Sequence, residues 1–176
     1  TPGELFSGHV EALQRLARKH GKRLMIWADF AYKHADQIPR LAPDTVLIDW
    51  WYEAEFEADR VAKLRRHGFE FWVSPGTSAW NCLFPRVANS EANIARWAEA
   101  GLRHRATGFL NTDWGDFGHY NTLGASLYAY AQGAQQAWSG TADEADFDRA
   151  FGRQVFGDES RAIGRLYRRL GAVHDA

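Results

Sequence analysis

Tryptophan residues stand close to carboxylate, amide or phenol side chains at four places along the chain. These groups are Trp27 with Asp29, Trp50 with Tyr52, Trp80 with Asn81, and Trp114 between Asp113 and Asp116. The apolar face of a sugar ring packs on a flat indole, and its hydroxyl groups donate hydrogen bonds to nearby oxygen atoms. Eight tryptophans in 176 residues exceed what a protein core of this size needs. The residue types therefore predict carbohydrate binding.

The spacing within two of these groups has a geometric meaning. Residues two apart on an extended strand point to the same side, so Trp27 can share a side with Asp29, and Trp114 with Asp116. Gly115 leaves room for a ligand to approach the backbone. Other roles stay open at this point, because Trp27 could pack in a core and Asp29 could cap the following turn.

For several other residues of reactive or aromatic type, a structural role is the better interpretation. Asp49 fits a buried acid paired with an arginine, and the arginines of 161–169 fit a solvated helix face. The remaining structural assignments are Trp72, Trp97 and Trp138 as core packing, Cys82 as filler, and His20, His67 and His104 at helix ends.

The sequence predicts neither a metal ion nor a cofactor. His119 with Asp113 and Asp116 would offer three ligands, but no His-x-x-x-His or cysteine-rich spacing supports a metal site. No glycine-rich phosphate-binding pattern follows any strand, which argues against a nucleotide.

The elements that must position these residues alternate regularly. Short apolar runs predict strands that start near residues 23, 45, 69 and 108, and amphipathic stretches predict helices over 4–20, 55–67, 90–105 (with Ser90 as N-cap) and 123–138. Strands that alternate with helices pair in parallel, and repeated units of this kind curl into a barrel or an open sheet. In such barrels function lies at the carboxyl ends of the strands, where the tryptophan groups stand.

The predicted fold class is α/β, a partial (β/α)₈ TIM barrel with a C-terminal helical extension. The chain has 176 residues, fewer than the roughly 250 of a complete barrel. The barrel portion is expected over residues 1–140 and the extension over 141–176, with two helices at 143–156 and 158–170.

Bulk properties exclude some classes of partner. The net charge is −1, from 21 basic and 22 acidic residues, so no nucleic-acid partner is expected. No stretch approaches the roughly 18 apolar residues of a membrane span, so no membrane partner is expected. The compartment stays unknown, although the lack of a signal-like segment slightly favours the cytoplasm. The first residue is not methionine, as expected of a processed or excised piece.

With these motifs in view, the chain resembles glycoside hydrolase family 20, the β-N-acetylhexosaminidases, over residues 1–138. The most specific similarity is 112–119, which looks like the family's Trp-x-Glu/Asp motif, and the segments 26–29, 49–52 and 74–81 are similar to its bacterial branch. The resemblance implies that the four strands are the fifth to eighth of the barrel. The implied substrate is an N-acetylated amino-sugar glycoside.

The resemblance also implies a mechanism and roles for residues. The substrate's own acetamido oxygen attacks the anomeric carbon, assisted by an enzymic Asp-Glu pair after the fourth strand. It implies that Trp27, Trp50 and Trp114 form the acetamide pocket and that Asp116 holds the outer hydroxyls. Where the family often has Tyr and Asp, this chain has Trp80 and Asn81, and Tyr52 is a possible substitute.

The Asp-Glu pair departs from the family pattern, because the only such dipeptides are 143–144 and 158–159 in the helical tail. The pair is therefore expected upstream of residue 1, no catalytic residue is assigned here, and the isolated chain is expected to be inactive. The other hypotheses are a non-catalytic carbohydrate-binding half-barrel, a hydrolase that uses Asp113 or Asp116 with Asp29, and a half-barrel that dimerises to cover its bare sheet edges. The expected protein partner is thus a missing N-terminal half-barrel or a second copy.

Overall fold

Four parallel strands alternate with helices along the chain. The computed structural model describes residues 1–140 and 143–175. Its strands form one sheet in the order β1-β2-β3-β4, and every neighbouring pair is parallel. The strands are β1 (Met25–Trp27), β2 (Val46–Trp50), β3 (Glu70–Ser74) and β4 (Gly108–Phe109). The α/β class and the parallel sheet are therefore confirmed.

The principal helices are α1 (Pro2–Lys19), α2 (Asp29–Lys33), α3 (Val61–Arg66), α4 (Val87–His104), α5 (Leu123–Ser139), α6 (Glu144–Phe151) and α7 (Ala162–Gly171). Thr1 starts α1 with a capping box, in which its hydroxyl accepts from the Glu4 amide and the Glu4 side chain reaches back. His20 ends α1, His67 ends α3, and His104 is the last residue of α4, as the sequence predicts.

The predicted helix over 55–67 is too long. Residues before 58 form a loop, Ala58–Arg60 is a short 3₁₀ turn, and α3 begins only at Val61. The prediction of Ser90 as an N-cap is also wrong. It lies inside α4, where its hydroxyl donates to the carbonyl of Val87 at 2.9 Å.

The strand predicted over 108–112 and the tail helices also differ from expectation. Regular pairing of β4 ends at Phe109, and only an isolated bridge joins Thr112 to Gly76. The helix predicted over 143–156 changes from α to π geometry over Gly152–Phe156. The next helix starts late, because the Asp158 carboxylate accepts the amides of Ser160 and Ile163 and holds a turn there.

The chain divides into two compact units made of interleaved segments. The first contains Thr1–Trp50, Glu57–Ser74 and Ala100–Phe109, and it holds the whole sheet. Its core includes Leu47 and Val73, which are buried in the sheet. Apolar β-branched runs of this kind are typical of parallel strands covered on both faces.

The predicted apolar stripe of α1 is mostly outside. Val10 is buried, but Leu5 is 78% and Leu16 is 53% exposed. The buried face of α1 instead carries Ser7 and Gln14, which are fixed by hydrogen bonds to Gln37 and Asp44.

The second unit contains Trp51–Phe56, Pro75–Glu99 and Leu110–Ala176. A core cluster of Val87, Tyr128, Phe151 and Tyr167 joins its helices. Trp97 is fully buried, as predicted, whereas the prediction of Trp138 as core packing is wrong, since 93% of it is exposed. Trp138 lies nine residues after the buried Ala129, which places it on the opposite side of α5 at 100° per residue.

The boundary predicted between residues 140 and 141 stays a prediction. Residues 141, 142 and 176 of the predicted extension lie outside the described residues. Within the described part of the chain, no helix combines the length and the apolar character that a membrane span requires.

Candidate functional site

Three aromatic side chains lie together in the second unit. The ring centres of Tyr52 and Trp80 are 5.5 Å apart, and those of Tyr52 and Trp114 are 6.1 Å apart. We call Tyr52, Trp80 and Trp114 the aromatic cluster. The rings are inclined at 53° and 51°, so they offer differently oriented flat surfaces rather than one stack. All three residues were predicted from sequence to bind a sugar.

Asp113 precedes Trp114 and is held by two hydroxyl groups. Thr77 and Ser126 both donate to its Oδ1, Ser126 at 3.0 Å, and both hydroxyl residues are fully buried. The two bonds fix the carboxylate and leave Oδ2 without a hydrogen-bond donor among the described residues. Burial raises the pKa of Tyr130, and the negative charge of Asp113 raises it further. Oδ2 of Asp113 therefore keeps its capacity to accept a hydrogen bond.

Amide side chains of α4 position the segment that carries Tyr52. Asn93, fully buried, donates to the carbonyls of Trp51 and Glu53, each at 2.9 Å. Asn89 donates to the carbonyl of Tyr52 at 2.7 Å, and the indole of Trp97 donates to that of Trp51 at 2.9 Å. A loop without regular pairing is therefore fixed by side chains of a helix.

The loop after β3 is held in unusual backbone geometry. Ser78 and Asn81 have φ of 59° and 57°, which is uncommon for residues other than glycine. Such conformations persist only where surrounding contacts impose them, and they concentrate at functional sites. Trp80 between them lies 5.0 Å from the Arg86 guanidinium, and Arg86 is paired with Glu53 at 3.1 Å.

In the first unit Asp49 has a structural role. It is 1% exposed at the end of β2, and Arg60 donates to both of its oxygens at 2.6 and 3.1 Å. Tyr32 also donates to it at 2.6 Å, and burial, followed by the charge of Asp49, raises the pKa of that phenol. The expectation of a buried acid paired with an arginine is confirmed.

The strand ends of the first unit carry three more predicted residues. Trp27 ends β1 beside Ile48, and Trp50 ends β2 beside Ser74. Asp29 is in the first turn of α2, where it pairs with Lys33 at 3.6 Å. The reasoning that Trp27 and Asp29 share one side of a strand is therefore wrong. Convergence of Trp27 and Trp50 with the aromatic cluster stays a prediction.

The same correction applies to the segment after β4. Asp116 is exposed and begins a 3₁₀ turn over Asp116–Gly118, so strand alternation does not relate it to Trp114. Asn81, another predicted polar residue of the second unit, is also exposed. His119 has φ of 53°. Its ring packs where a Cβ on Gly115 would lie, so position 115 requires glycine. Among residues 1–140 and 143–175, no three His, Cys, Asp or Glu side chains cluster as a metal site would require.

Sequence reasoning missed the residues that hold the cluster in place. Successive residues of this set, Asn89, Asn93 and Trp97, are four apart and share one face of α4. Polar groups at this helical spacing could have predicted a face that donates hydrogen bonds. The arginines of 161–169 were expected in solvent, yet Arg168 is only 22% exposed and pairs with the buried Asp148. No pattern in the sequence pointed to that pairing.

The chain matches no known protein-family model and no curated protein.

Proposed function

We propose that this chain is the sugar-binding part of a (β/α)₈-barrel glycoside hydrolase, an exo-acting β-N-acetylhexosaminidase. The observation that carries the proposal is the aromatic cluster, together with the anchored carboxylate of Asp113, which precedes Trp114 in the sequence. Indole and phenol faces pack on the apolar face of a pyranose, and a fixed carboxylate accepts its hydroxyl or amide protons. The proposed substrate is a glycoside with terminal N-acetylglucosamine or N-acetylgalactosamine.

In the proposed reaction the acetamido oxygen of the sugar attacks the anomeric carbon and displaces the leaving group. Trp27, Trp50 and Trp114 would enclose the acetamide, and Tyr52 would donate to its oxygen. Asp116 would hold the outer hydroxyls of the terminal sugar. These roles follow from the resemblance to family 20.

The general acid must come from outside this chain in the proposed enzyme. Asp143 of one Asp-Glu dipeptide caps α6 by accepting the amides of Ala145 and Asp146. Asp158 of the other holds the turn before α7. Neither dipeptide stands at the end of a strand. This observation also favours the second candidate function, a carbohydrate-binding half-barrel without hydrolysis.

Two features of the first unit support a protein partner. Strands β1 and β4 lie at the two edges of the sheet order, and the exposed Leu5 and Leu16 leave an apolar surface on α1. Open sheet edges and apolar surface of this kind call for cover. We propose that an N-terminal half-barrel or a second copy supplies it.

Titration of N-acetylglucosamine against tryptophan fluorescence tests sugar binding. Trp114→Ala and Asp116→Ala should each weaken binding by about 1–3 kcal/mol, the scale of a lost aromatic or charge-assisted contact. Trp138→Ala removes an exposed indole from the far end of α5 and should leave affinity unchanged. Unchanged affinity for N-acetylglucosamine in both Trp114→Ala and Asp116→Ala would contradict the assignment of the site.

Turnover of an aryl N-acetyl-β-glucosaminide separates the candidate functions. The chain alone should bind without turnover, and a longer protein that supplies the Asp-Glu pair should hydrolyse the substrate. Binding without hydrolysis in the longer protein would favour the carbohydrate-binding function. Turnover by the chain alone would instead support a self-sufficient hydrolase with acids among Asp29, Asp113 and Asp116.

A further inference from the structure

The second unit contains a cavity formed by four helices, α4 to α7. Its volume is about 330 Å³, which suits a small organic ligand. No residue of the aromatic cluster contributes to it. The residues that matter to its chemistry are Glu91, Ala95, Gln132, Glu144, Phe147 and Arg168.

Arg168, the one arginine among the described residues of this wall, is already engaged by carboxylates. Arg168 pairs with Glu91 at 2.5 Å and with Asp148 at 3.2 Å, and Glu144 lies 3.7 Å away. A guanidinium shared by three acids has little attraction left for an anionic ligand. The cavity is therefore poorly suited to phosphate or carboxylate compounds.

Negative charge is in excess at the cavity wall. Two carboxylates, Glu91 and Glu144, face one guanidinium, Arg168, so the wall carries one negative charge more than it carries positive charges. Behind this wall Asp148 is fully buried and pairs with Arg161 at 3.8 Å, so the second layer adds no net charge. A cation is the ligand that compensates this imbalance.

Hydrogen-bond acceptors are also in excess. The Gln132 amide nitrogen donates to Oε1 of Glu91, which fixes the orientation of the Gln132 side chain. Its Oε1 is shielded from solvent and has no hydrogen-bond partner among the described residues. A buried acceptor left unpaired costs free energy, so a ligand that donates hydrogen bonds gains by reaching it.

The rest of the wall is suited to hydrocarbon. Ile94 is fully buried at the cavity, and Ala95 and Phe147 are half-buried beside it. Methylene groups can pack on these side chains, and an aromatic face also attracts a cation. We propose that this cavity binds a small organic molecule that carries a primary ammonium group, with the ammonium at Glu91 and Glu144 and the hydrocarbon against Phe147.

Calorimetric titration with three probes of matched shape tests the charge requirement. n-Butylammonium, butan-1-ol and butyrate differ in the charge of one end group. We expect saturable binding of n-butylammonium alone. Equal binding of all three, tighter binding of butyrate, or no binding of n-butylammonium would overturn the proposal.

Two variants locate the binding. Glu91→Gln keeps the shape of the side chain and removes its charge, so n-butylammonium should bind about tenfold more weakly, the scale of one charge-assisted hydrogen bond. Ala95→Leu fills the cavity without any change of charge and should abolish binding. Glu99→Gln, an exposed position on the same helix, is the matched control and should bind as the parent does. Parent-like affinity in folded Ala95→Leu would overturn the proposal even if Glu91→Gln failed to fold.

Discussion

The buried amide of Asn93 donates to the main-chain carbonyl of Trp51 at 2.9 Å, and this bond joins α4 to the segment after β2. The same side chain donates to the carbonyl of Glu53 and accepts the amide of Gly76 at 3.2 Å. One asparagine therefore contacts two of the three segments that carry members of the aromatic cluster, since Tyr52 lies between Trp51 and Glu53 and Trp80 follows Gly76. Position 93 links the stability of the second unit to the geometry of its site.

Replacement of Asn93 by alanine should destabilise the protein and loosen the site. The Glu53 carbonyl and the Gly76 amide would lose this partner, and the Trp51 carbonyl would keep its bond from the Trp97 indole. We therefore expect the free energy of unfolding to fall by about 1–3 kcal/mol. Urea denaturation measures this change. Ala88→Gln, at an exposed position of the same helix, should stay within about 0.5 kcal/mol of the parent. Equal stability of Asn93→Ala and Ala88→Gln would contradict the assigned role.

The strands were predictable because their signal is local. The run of Val46, Leu47 and Ile48 is apolar with two β-branched residues, as is typical of buried parallel strands, and all three are buried. The role of Asp49 was predictable for a similar reason, since a carboxylate in such a run must be paired. Nothing comparable in the sequence distinguishes a strand from the extended loop that follows it. The fourth strand was therefore predicted to continue past Phe109, where its regular pairing ends.

The residue types of the site were predictable from the sequence, but the side chains that hold these residues in place were less so. Tyr52, Trp80 and Trp114 each lie in a segment that follows a strand. The order of strands and following segments can be predicted from the sequence. The segment that carries Tyr52 is held by Asn89 and Asn93, whose partners are backbone carbonyls about 40 residues away in sequence. Hydrogen bonds between residues so far apart in the chain produce no sequence pattern other than polar residues on a buried helix face.

A methyl group at position 76 should disturb Tyr52. A Cβ on Gly76 would lie 2.9 Å from Cδ1 of the Tyr52 ring, closer than packed carbon atoms approach. In Gly76→Ala the ring must move, so we expect N-acetylglucosamine to bind about tenfold more weakly, or about 1.4 kcal/mol. Fluorescence titration measures this affinity.

Gly124→Ala is the matched control for that variant. A Cβ at position 124 would lie 3.7 Å from the Thr122 hydroxyl, which is an ordinary van der Waals contact. Gly124 lies in α5, where alanine is favoured over glycine, so this variant should bind sugar as the parent does and be slightly more stable. Sugar affinity that falls equally in both variants would contradict the specific contact with Tyr52.

Loss of the buried Asp148 should be far more costly than loss of a surface acid. Asp148 accepts from the Tyr128 hydroxyl at 2.6 Å and from Arg168 at 3.2 Å, and it has no exposed surface. Asp148→Ala leaves a guanidinium and a phenol without this partner, so we expect the free energy of unfolding to fall by about 3–5 kcal/mol. Asp146→Ala, on the exposed side of the same helix, should change it by less than about 1 kcal/mol. Thermal and urea unfolding of the two variants would show a similar loss if the buried pairing had no energetic role.

Glu91 should make stability depend on pH in a defined direction. Burial raises the pKa of Glu91 above its ordinary value of 4.5, and the attraction of Arg168, which also serves Asp148 and Glu144, does not offset it. The folded state therefore holds this proton more tightly than the unfolded state does. By linkage, the contribution of Glu91 to stability is fully present below pH 4.5 and is lost as the pH rises through the higher pKa of the folded protein.

Denaturation of the parent and of Glu91→Gln across this pH range isolates that contribution. Glutamine cannot ionise, so the variant lacks this particular loss. It also lacks the ion pair with Arg168 that the parent forms where Glu91 is ionised. The stability of the parent relative to the variant should therefore decline as the pH rises from 4.5 and then level off once Glu91 is ionised in both states. A relative stability that increases over the same interval would mean that Arg168 outweighs burial and that the pKa of Glu91 is lowered in the folded protein.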